Sequence, residues 1–163
     1  MKTIGFVGQS GSGKTTLIER LISVFVQRGL TVSALKHAHH GFDIDRPGKD
    51  SFRFRSAGAA QVLLAAPQRW ALMTELRSQA LGLEQLLAEL APCDLVLVEG
   101  FRSEGNILRI EVRGPDESGP SPFKQDAAVI AVVGDDPADR ALPRFGRDDV
   151  ARIAVFIAER LDL

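Results

Sequence analysis

The sequence predicts an α/β protein with a mostly parallel sheet flanked by helices and a small antiparallel excursion. Three observations carry this expectation. Apolar runs of strand length alternate with segments whose apolar residues recur at helical spacing, the pattern of βαβ units. The first run, Ile4-Gly5-Phe6-Val7, leads directly into Gly8-Gln9-Ser10-Gly11-Ser12-Gly13-Lys14-Thr15 and then into a helical stripe. Two β-rich runs around Pro67 interrupt the alternation.

The elements follow in order. After the glycine-rich segment, Leu17, Ile18, Leu21, Ile22 and Phe25 mark a helix that Gly29 stops. Residues 30–36 are short and rich in apolar and β-branched types, so they read as a second strand parallel to the first. Residues 36–51 are polar and hold all three histidines, with a turn at Pro47-Gly48; Asp50 or Ser51 is expected to cap a short helix through Arg55. Residues 61–65 and 70–73 read as the antiparallel pair. Leu83, Leu86, Leu87 and Leu90 form a helical stripe closed by Pro92, and residues 94–100 are a buried strand ending at Glu99. Residues 107–112 alternate Leu108, Ile110 and Val112 against Arg109 and Glu111, as a strand does. The proline-rich stretch 114–122 reads as a mobile surface loop and 127–133 as another buried strand. A final helix, capped by Asp148 or Asp149, carries Val150, Ile153, Ala154, Ile157 and Leu161 on one face.

Composition bounds the function. At 163 residues, 45% hydrophobic and 25% charged, the chain suits one globular domain spanning 1–163 with a sizeable core. Lys+Arg 20 against Asp+Glu 21 leaves a net charge of -1, which offers no basic field for nucleic acid or anionic membrane. No apolar run has membrane-spanning length, and a strand beginning beside Met1 leaves no room for a signal peptide. Cys93, the one cysteine, reads as a small core residue, and a reducing cytoplasm is the expected compartment.

Residues 8–15 match G-x-x-x-x-G-K-[ST], the P-loop pattern, between a strand and a helix as that pattern requires. Backbone N–H groups of such a turn converge on phosphate oxygens, and the helix N-terminus adds positive potential. Side chains at Gly8, Gly11 or Gly13 would crowd the approach or forbid the turn. Lys14 is placed to face β/γ-phosphates, and the Thr15 hydroxyl to ligate Mg²⁺. Gln9, Ser10, Ser12 and Thr16 complete the predicted nucleotide site.

Other side chains join this site by position. Glu99 ends a hydrophobic strand, where P-loop proteins place a second acid that holds a Mg²⁺-bound water or orients an attacking one. Asp43 and Asp45 alternate with Phe42 and Ile44, so an extended backbone puts both carboxylates on one side. Asp45 is the candidate for the Mg²⁺ shell, with a plain polar loop as the competing reading. His37, His39 and His40, beside Lys36, Lys49 and Arg53, suit an anionic ligand better than zinc, whose usual ligand spacings they do not match. The loop they occupy follows a strand, on the side where open α/β sheets bind ligands. The guanine motif of many GTPases is absent, but Asp135 and Asp136 follow a strand where a carboxylate can accept from guanine N1 and N2; turn acids before Pro137 are the other reading.

Six segments together resemble one family: 8–17, Lys36-His37-Ala38-His39-His40, residues 43–51, Ala57-Gly58-Ala59-Ala60-Gln61, Arg69-Trp70-Ala71-Leu72-Met73-Thr74-Glu75 and Leu97-Val98-Glu99-Gly100-Phe101-Arg102. In this order they are similar to the molybdopterin-guanine dinucleotide biosynthesis adaptors, the MobB family. The likeness runs to about residue 102 and then fades to a general hydrophobic pattern. It implies a P-loop NTPase fold and a cytoplasmic, homodimeric GTP-binding protein with at most slow GTPase activity. Such a protein assists the molybdopterin guanylyltransferase, which joins GMP to molybdopterin. Arg102 stands where a lysine is common in the family, which keeps the charge and alters the hydrogen-bonding geometry. Two other functions compete: a small-molecule kinase, whose acceptor the histidine–aspartate loop would hold, and a regulatory switch GTPase, which the missing guanine motif disfavours.

Overall fold

The computed structural model describes residues 1–163 apart from 39–41, 43, 78, 103, 105, 116, 118 and 136–141. The chain divides into two compact units, one of residues 1–37 and 82–163, the other of residues 38–81.

The larger unit contains β1 (Lys2–Val7), α1 (Lys14–Gln27), β2 (Val32–Lys36), α3 (Leu83–Ala88), β5 (Leu95–Glu99), β6 (Leu108–Val112), β7 (Val129–Val133), β8 (Arg144–Phe145) and α4 (Val150–Leu161). The smaller holds α2 (Asp50–Ser56), β3 (Gln61–Ala66) and β4 (Arg69–Thr74). The six strands of the larger unit lie in the order β2-β5-β1-β6-β7-β8, and every neighbouring pair is parallel. The predicted fold class is therefore realised, with the antiparallel excursion as β3 and β4. The two-residue β8 has no counterpart in the sequence reading; it is too short to show periodicity.

Strands of a parallel sheet bury both faces, and side-chain alternation divides the apolar residues between two layers. Leu95 and Leu97 face α1 and α4 in a cluster with Leu21, Phe25, Ile153 and Ile157, while Val96 and Val98 face Leu83 and Phe101 on the other side. Burying a large side chain such as Phe6 or Phe25 contributes roughly 1.5–3 kcal/mol, and both are 0% exposed. Cys93 packs with the second cluster, as expected of a small core residue.

Three local expectations are corrected. The alternation of β6 suggests a strand with Arg109 and Glu111 in water, yet both are buried, as is Arg113, because β6 lies between β1 and β7 with both faces covered. The 114–122 loop, expected to be mobile, is tied down at its described residues. Ser121 Oγ donates to Glu111 Oε2 at 2.6 Å, and Arg113 Nη2 donates to the carbonyls of Glu117 and Gly119 at 3.2 and 2.7 Å. Lys49, not Asp50 or Ser51, is the N-cap of α2, and it caps without a side-chain bond. The Ser51 hydroxyl is committed elsewhere, donating to Asp45 Oδ1 at 2.6 Å. At the final helix Asp149 does take the N-cap position, but its carboxylate accepts from the Gly146 N–H at 3.0 Å and pairs with Arg152. Among the described residues no helix is long and apolar enough to cross a membrane.

Candidate nucleotide-phosphate site

β1 runs from the core to the glycine-rich turn, and α1 leaves it at Lys14. Gly13, with φ 94°, is the α1 N-cap in the left-handed region and supplies no side-chain cap. No acid occupies the first turn of α1 either, so its leading N–H groups are left to an anion. Gly8 has a reason that sequence alone assigns to the phosphate. A Cβ there would sit 2.1 Å from the Val112 carbonyl oxygen, so the close approach that demands glycine is to β6. Lys14 Nζ donates to the carbonyls of Gly8 at 3.1 Å and Gln9 at 2.6 Å and lies 3.3 Å from Ser12 Oγ. Burial lowers its pKa below the ordinary 10.5, with Glu99 opposing the shift and Arg102 adding to it. A cation held short of full solvation gains when an anionic phosphate arrives.

Sheet register assembles the second part. Glu99 of β5 is the Cα partner of Phe6 in β1 and of Lys36 in β2, so strand ends bring its carboxylate to the first turn of α1. Thr15 Oγ1 donates to Glu99 Oε2 at 2.8 Å, and Lys36 Nζ lies 3.2 Å from Glu99 Oε1 and 3.3 Å from Thr15 Oγ1. Thr15 and Glu99 thus meet as the sequence predicts.

Two arginines brace the loop. Arg102 Nη2 donates to the Gly8 carbonyl at 3.0 Å, and Arg147 Nη1 to the Ser12 carbonyl at 3.0 Å. Arg147 also donates to the Arg113 carbonyl and pairs with Asp135 Oδ2 at 3.4 Å. Asp135 follows β7 on the same side of the sheet and is largely exposed. Sequence reasoning missed Arg147 altogether. Its signal was positional only: an arginine in the turn between a strand and the last helix, on the ligand side of the sheet. It also grouped Lys36 with the histidines, although β2 register sets it beside Glu99.

The remaining predicted residues lie as follows. Gln9, Ser10 and Thr16 are exposed on the loop and first turn, and Ser12 is buried beneath it. His37 stacks on Phe101, ring centroids 4.4 Å apart, and its backbone N–H donates to the Glu99 carbonyl at 2.9 Å. In the smaller unit Asp45 is a buried carboxylate that accepts from Ser51 Oγ and the Arg46 N–H and lies 3.8 Å from Arg55 Nε. Lys49 and Arg53 are exposed there, Arg53 3.7 Å from Asp50. His39, His40, Asp43 and Asp136 lie outside the described residues.

The same chain has recognisable relatives. Residues 3–135 match the family model described as molybdopterin guanine dinucleotide synthesis protein B, MobB. The molybdopterin-guanine dinucleotide biosynthesis adapter protein of Escherichia coli (strain K12) is 40% identical over 159 residues, 96% of this chain and 91% of its own. The protein of that name from Haemophilus influenzae is 42% identical over 158 residues, 94% of this chain and 86% of its own. Among solved structures, one of molybdopterin-guanine biosynthesis protein B superposes with a TM-score of 0.72 at 31% identity, covering 99% of both chains. A MobB homologue from Bacillus stearothermophilus gives a TM-score of 0.73 at 25% identity, with 99% of both chains covered. With its P-loop, its parallel sheet and these relatives in register along nearly its whole length, the chain belongs to the MobB family.

Proposed function

We propose that this protein binds GTP with Mg²⁺ and serves as an accessory in molybdopterin-guanine dinucleotide biosynthesis, assisting the molybdopterin guanylyltransferase by presenting GTP to it. The carrying observation is the Thr15–Glu99 contact of 2.8 Å at the mouth of a P-loop, in a chain of the MobB family. A hydroxyl and a carboxylate form a hard-oxygen pair that suits Mg²⁺, an ion that takes one or two protein ligands and completes its shell with water and nucleotide oxygens. Thr15 and Glu99 would hold the ion, which supplies charge neutralisation at the β- and γ-phosphates. Lys14 and the N–H groups of the loop bind the phosphates, and Arg102 and Arg147 hold the loop in shape through its carbonyls.

The finer parts of the proposal rest on chemistry. Asp135 accepts from the guanine base once its pairing with Arg147 is exchanged. His37, His39, His40, Lys49 and Arg53 supply cationic and hydrogen-bonding groups for molybdopterin, an anionic second ligand. Asp45, which accepts from the Ser51 hydroxyl, holds its own segment of the smaller unit in place. The protein works in the cytoplasm as a homodimer, and the exposed Leu63, Trp70 and Leu72 of the β3–β4 ribbon support self-association.

Calorimetric titration with GTP, ATP and ITP tests the reading. GTP is expected to bind more tightly than ATP, and Asp135→Asn to lose the preference for GTP over ITP, which lacks the exocyclic N2 donor. Equal affinity for GTP and ATP would remove guanine selectivity from the proposal.

A further inference from the structure

The three-way contact of Lys36, Thr15 and Glu99 goes beyond a phosphate site. Glu99 is mostly buried, its side chain 14% exposed, and is held from one side by the Thr15 hydroxyl. Lys36 is 60% exposed and sits on β2, the edge strand of the sheet, so its ammonium is free to swing while its root is fixed. In this arrangement Nζ lies 3.2 Å from Glu99 Oε1 and 3.3 Å from Thr15 Oγ1, the two oxygens proposed above as protein ligands of the divalent ion. An ordinary surface ion pair contributes little and joins two groups. This one joins a lysine to both members of a hydroxyl–carboxylate pair, and β2–β5 register places the lysine there.

We infer that Lys36 is a tethered cation that occupies the divalent-ion position of this P-loop, so that nucleotide binds with or without Mg²⁺ and the metal competes with the Lys36 ammonium for Thr15 and Glu99. The inference rests on the GTP–Mg²⁺ reading and deepens it. Like charges at contact distance repel strongly where solvent is limited, so the ammonium and a divalent ion exclude one another from these oxygens. Without metal, the ammonium neutralises Glu99, which would otherwise repel the β- and γ-phosphates. With metal, the ammonium is displaced from these oxygens and turns to solvent, where most of the Lys36 side chain already lies. Lys36 is therefore a positioning residue for metal and phosphate together.

The test is the affinity of a fluorescent N-methylanthraniloyl GTP for parent and Lys36→Met, each in excess Mg²⁺ and in EDTA. For the parent, the dissociation constants in EDTA and in Mg²⁺ are expected to agree within about threefold. For Lys36→Met, binding in EDTA is expected to weaken about tenfold or more while binding in Mg²⁺ holds or tightens. Mn²⁺ titrated into the nucleotide complex and followed by electron paramagnetic resonance should bind Lys36→Met more tightly than the parent. Lys36 is an exposed side chain, and thermal melting of the free variant confirms that its fold is kept. The same Mg²⁺/EDTA ratio in both proteins would overturn the role of Lys36 and leave the nucleotide site standing. Failure of the parent to bind nucleotide in either buffer would overturn the GTP reading and this inference with it.

Discussion

Glu111 and Arg113, two residues apart on one face of the sheet's interior, form an ion pair at 3.7 Å with 1% and 3% of their side chains exposed. Ser121 Oγ serves the carboxylate, and the carbonyls of Glu117 and Gly119 serve the guanidinium, so the pair pins the 114–122 loop behind β6. Removing one partner of a buried pair strands the other charge and costs about 3–5 kcal/mol. Arg113→Met is expected to destabilise the fold by that amount in urea unfolding. Glu111→Leu with Arg113→Met should recover a large part of the loss, because two apolar side chains leave no buried charge. A double variant as unstable as the single would mean that the loop, not the charge, sets the cost.

Lys14 tests the phosphate assignment. Lys14→Met removes the cation but leaves the glycines and the Gly8–Val112 approach intact, so GTP affinity is expected to collapse while the melting temperature without ligand changes little. There is also a pH signature. Burial lowers the Lys14 pKa below 10.5, so the unfolded chain holds this proton more tightly than the folded one. Stability at this residue therefore rises as pH climbs from the lowered value towards 10.5. Affinity for nucleotide runs the other way, falling over the same window as the ammonium is lost. Fluorescence titrations of the parent at increasing alkaline pH should show the fall, and an unchanged affinity would remove Lys14 from phosphate binding.

Asp94 makes an acid-side prediction. Its Oδ2 accepts from Thr31 Oγ1 at 2.6 Å and from the Thr31 N–H at 2.7 Å, which starts β2 at Val32 and joins it to β5. The Thr31 hydroxyl, and after it the backbone N–H, hold the Asp94 pKa below 3.8. A lowered carboxylate pKa gives stability that is present above 3.8 and lost as pH falls through the folded value. Asp94→Asn is expected to flatten that acid limb in pH-dependent melting. Carbon-13 NMR should find Asp94 titrating below its ordinary value, and a normal titration would count against the Thr31 clamp.

The β3–β4 ribbon offers a surface for the proposed dimer. Register pairs Leu63 with Leu72 and Ala65 with Trp70, which sets these four on one face. Leu63, Trp70 and Leu72 are 59%, 69% and 42% exposed. A contiguous uncovered apolar face on a two-stranded ribbon marks an interaction surface. Leu72→Glu is expected to convert the protein to a monomer in sedimentation equilibrium. A monomeric parent would end the homodimer proposal.

Sheet class and the P-loop were legible because both are local signals, period and spacing. The parallel strands declare themselves as apolar runs, and residues 8–15 carry their chemistry in consecutive positions. Glu99 was legible because it ends such a run. Arg147 was not, since what gives it a role is the turn after β8 returning beside Ser12, a contact across 135 residues. The same holds for Glu111 and Arg113. Alternation with apolar neighbours looks identical in a half-exposed strand and in a central strand whose buried charges pair with each other. Only strand order, with β6 between β1 and β7, distinguishes them.

The arginines at the loop bear on catalysis. Arg102 and Arg147 donate to the main-chain carbonyls of Gly8 and Ser12, which gives them a bracing role at the loop. GTPases with an arginine finger draw about 10³–10⁵ in rate from it. The isolated protein is therefore expected to turn over GTP far more slowly than about once per second, read as phosphate release. An accessory that presents GTP needs affinity and a second contact surface more than rate. Lys49 and Arg53 are exposed cations in the smaller unit, outside the phosphate loop. Lys49→Ala with Arg53→Ala should keep the parent's affinity for GTP but reduce its stimulation of the molybdopterin guanylyltransferase, measured as dinucleotide formation at limiting GTP. Equal stimulation by parent and double variant would rule these cations out as part of the working surface. Rapid transfer of phosphate from GTP to a small acceptor by the protein alone would replace the accessory reading with that of a kinase.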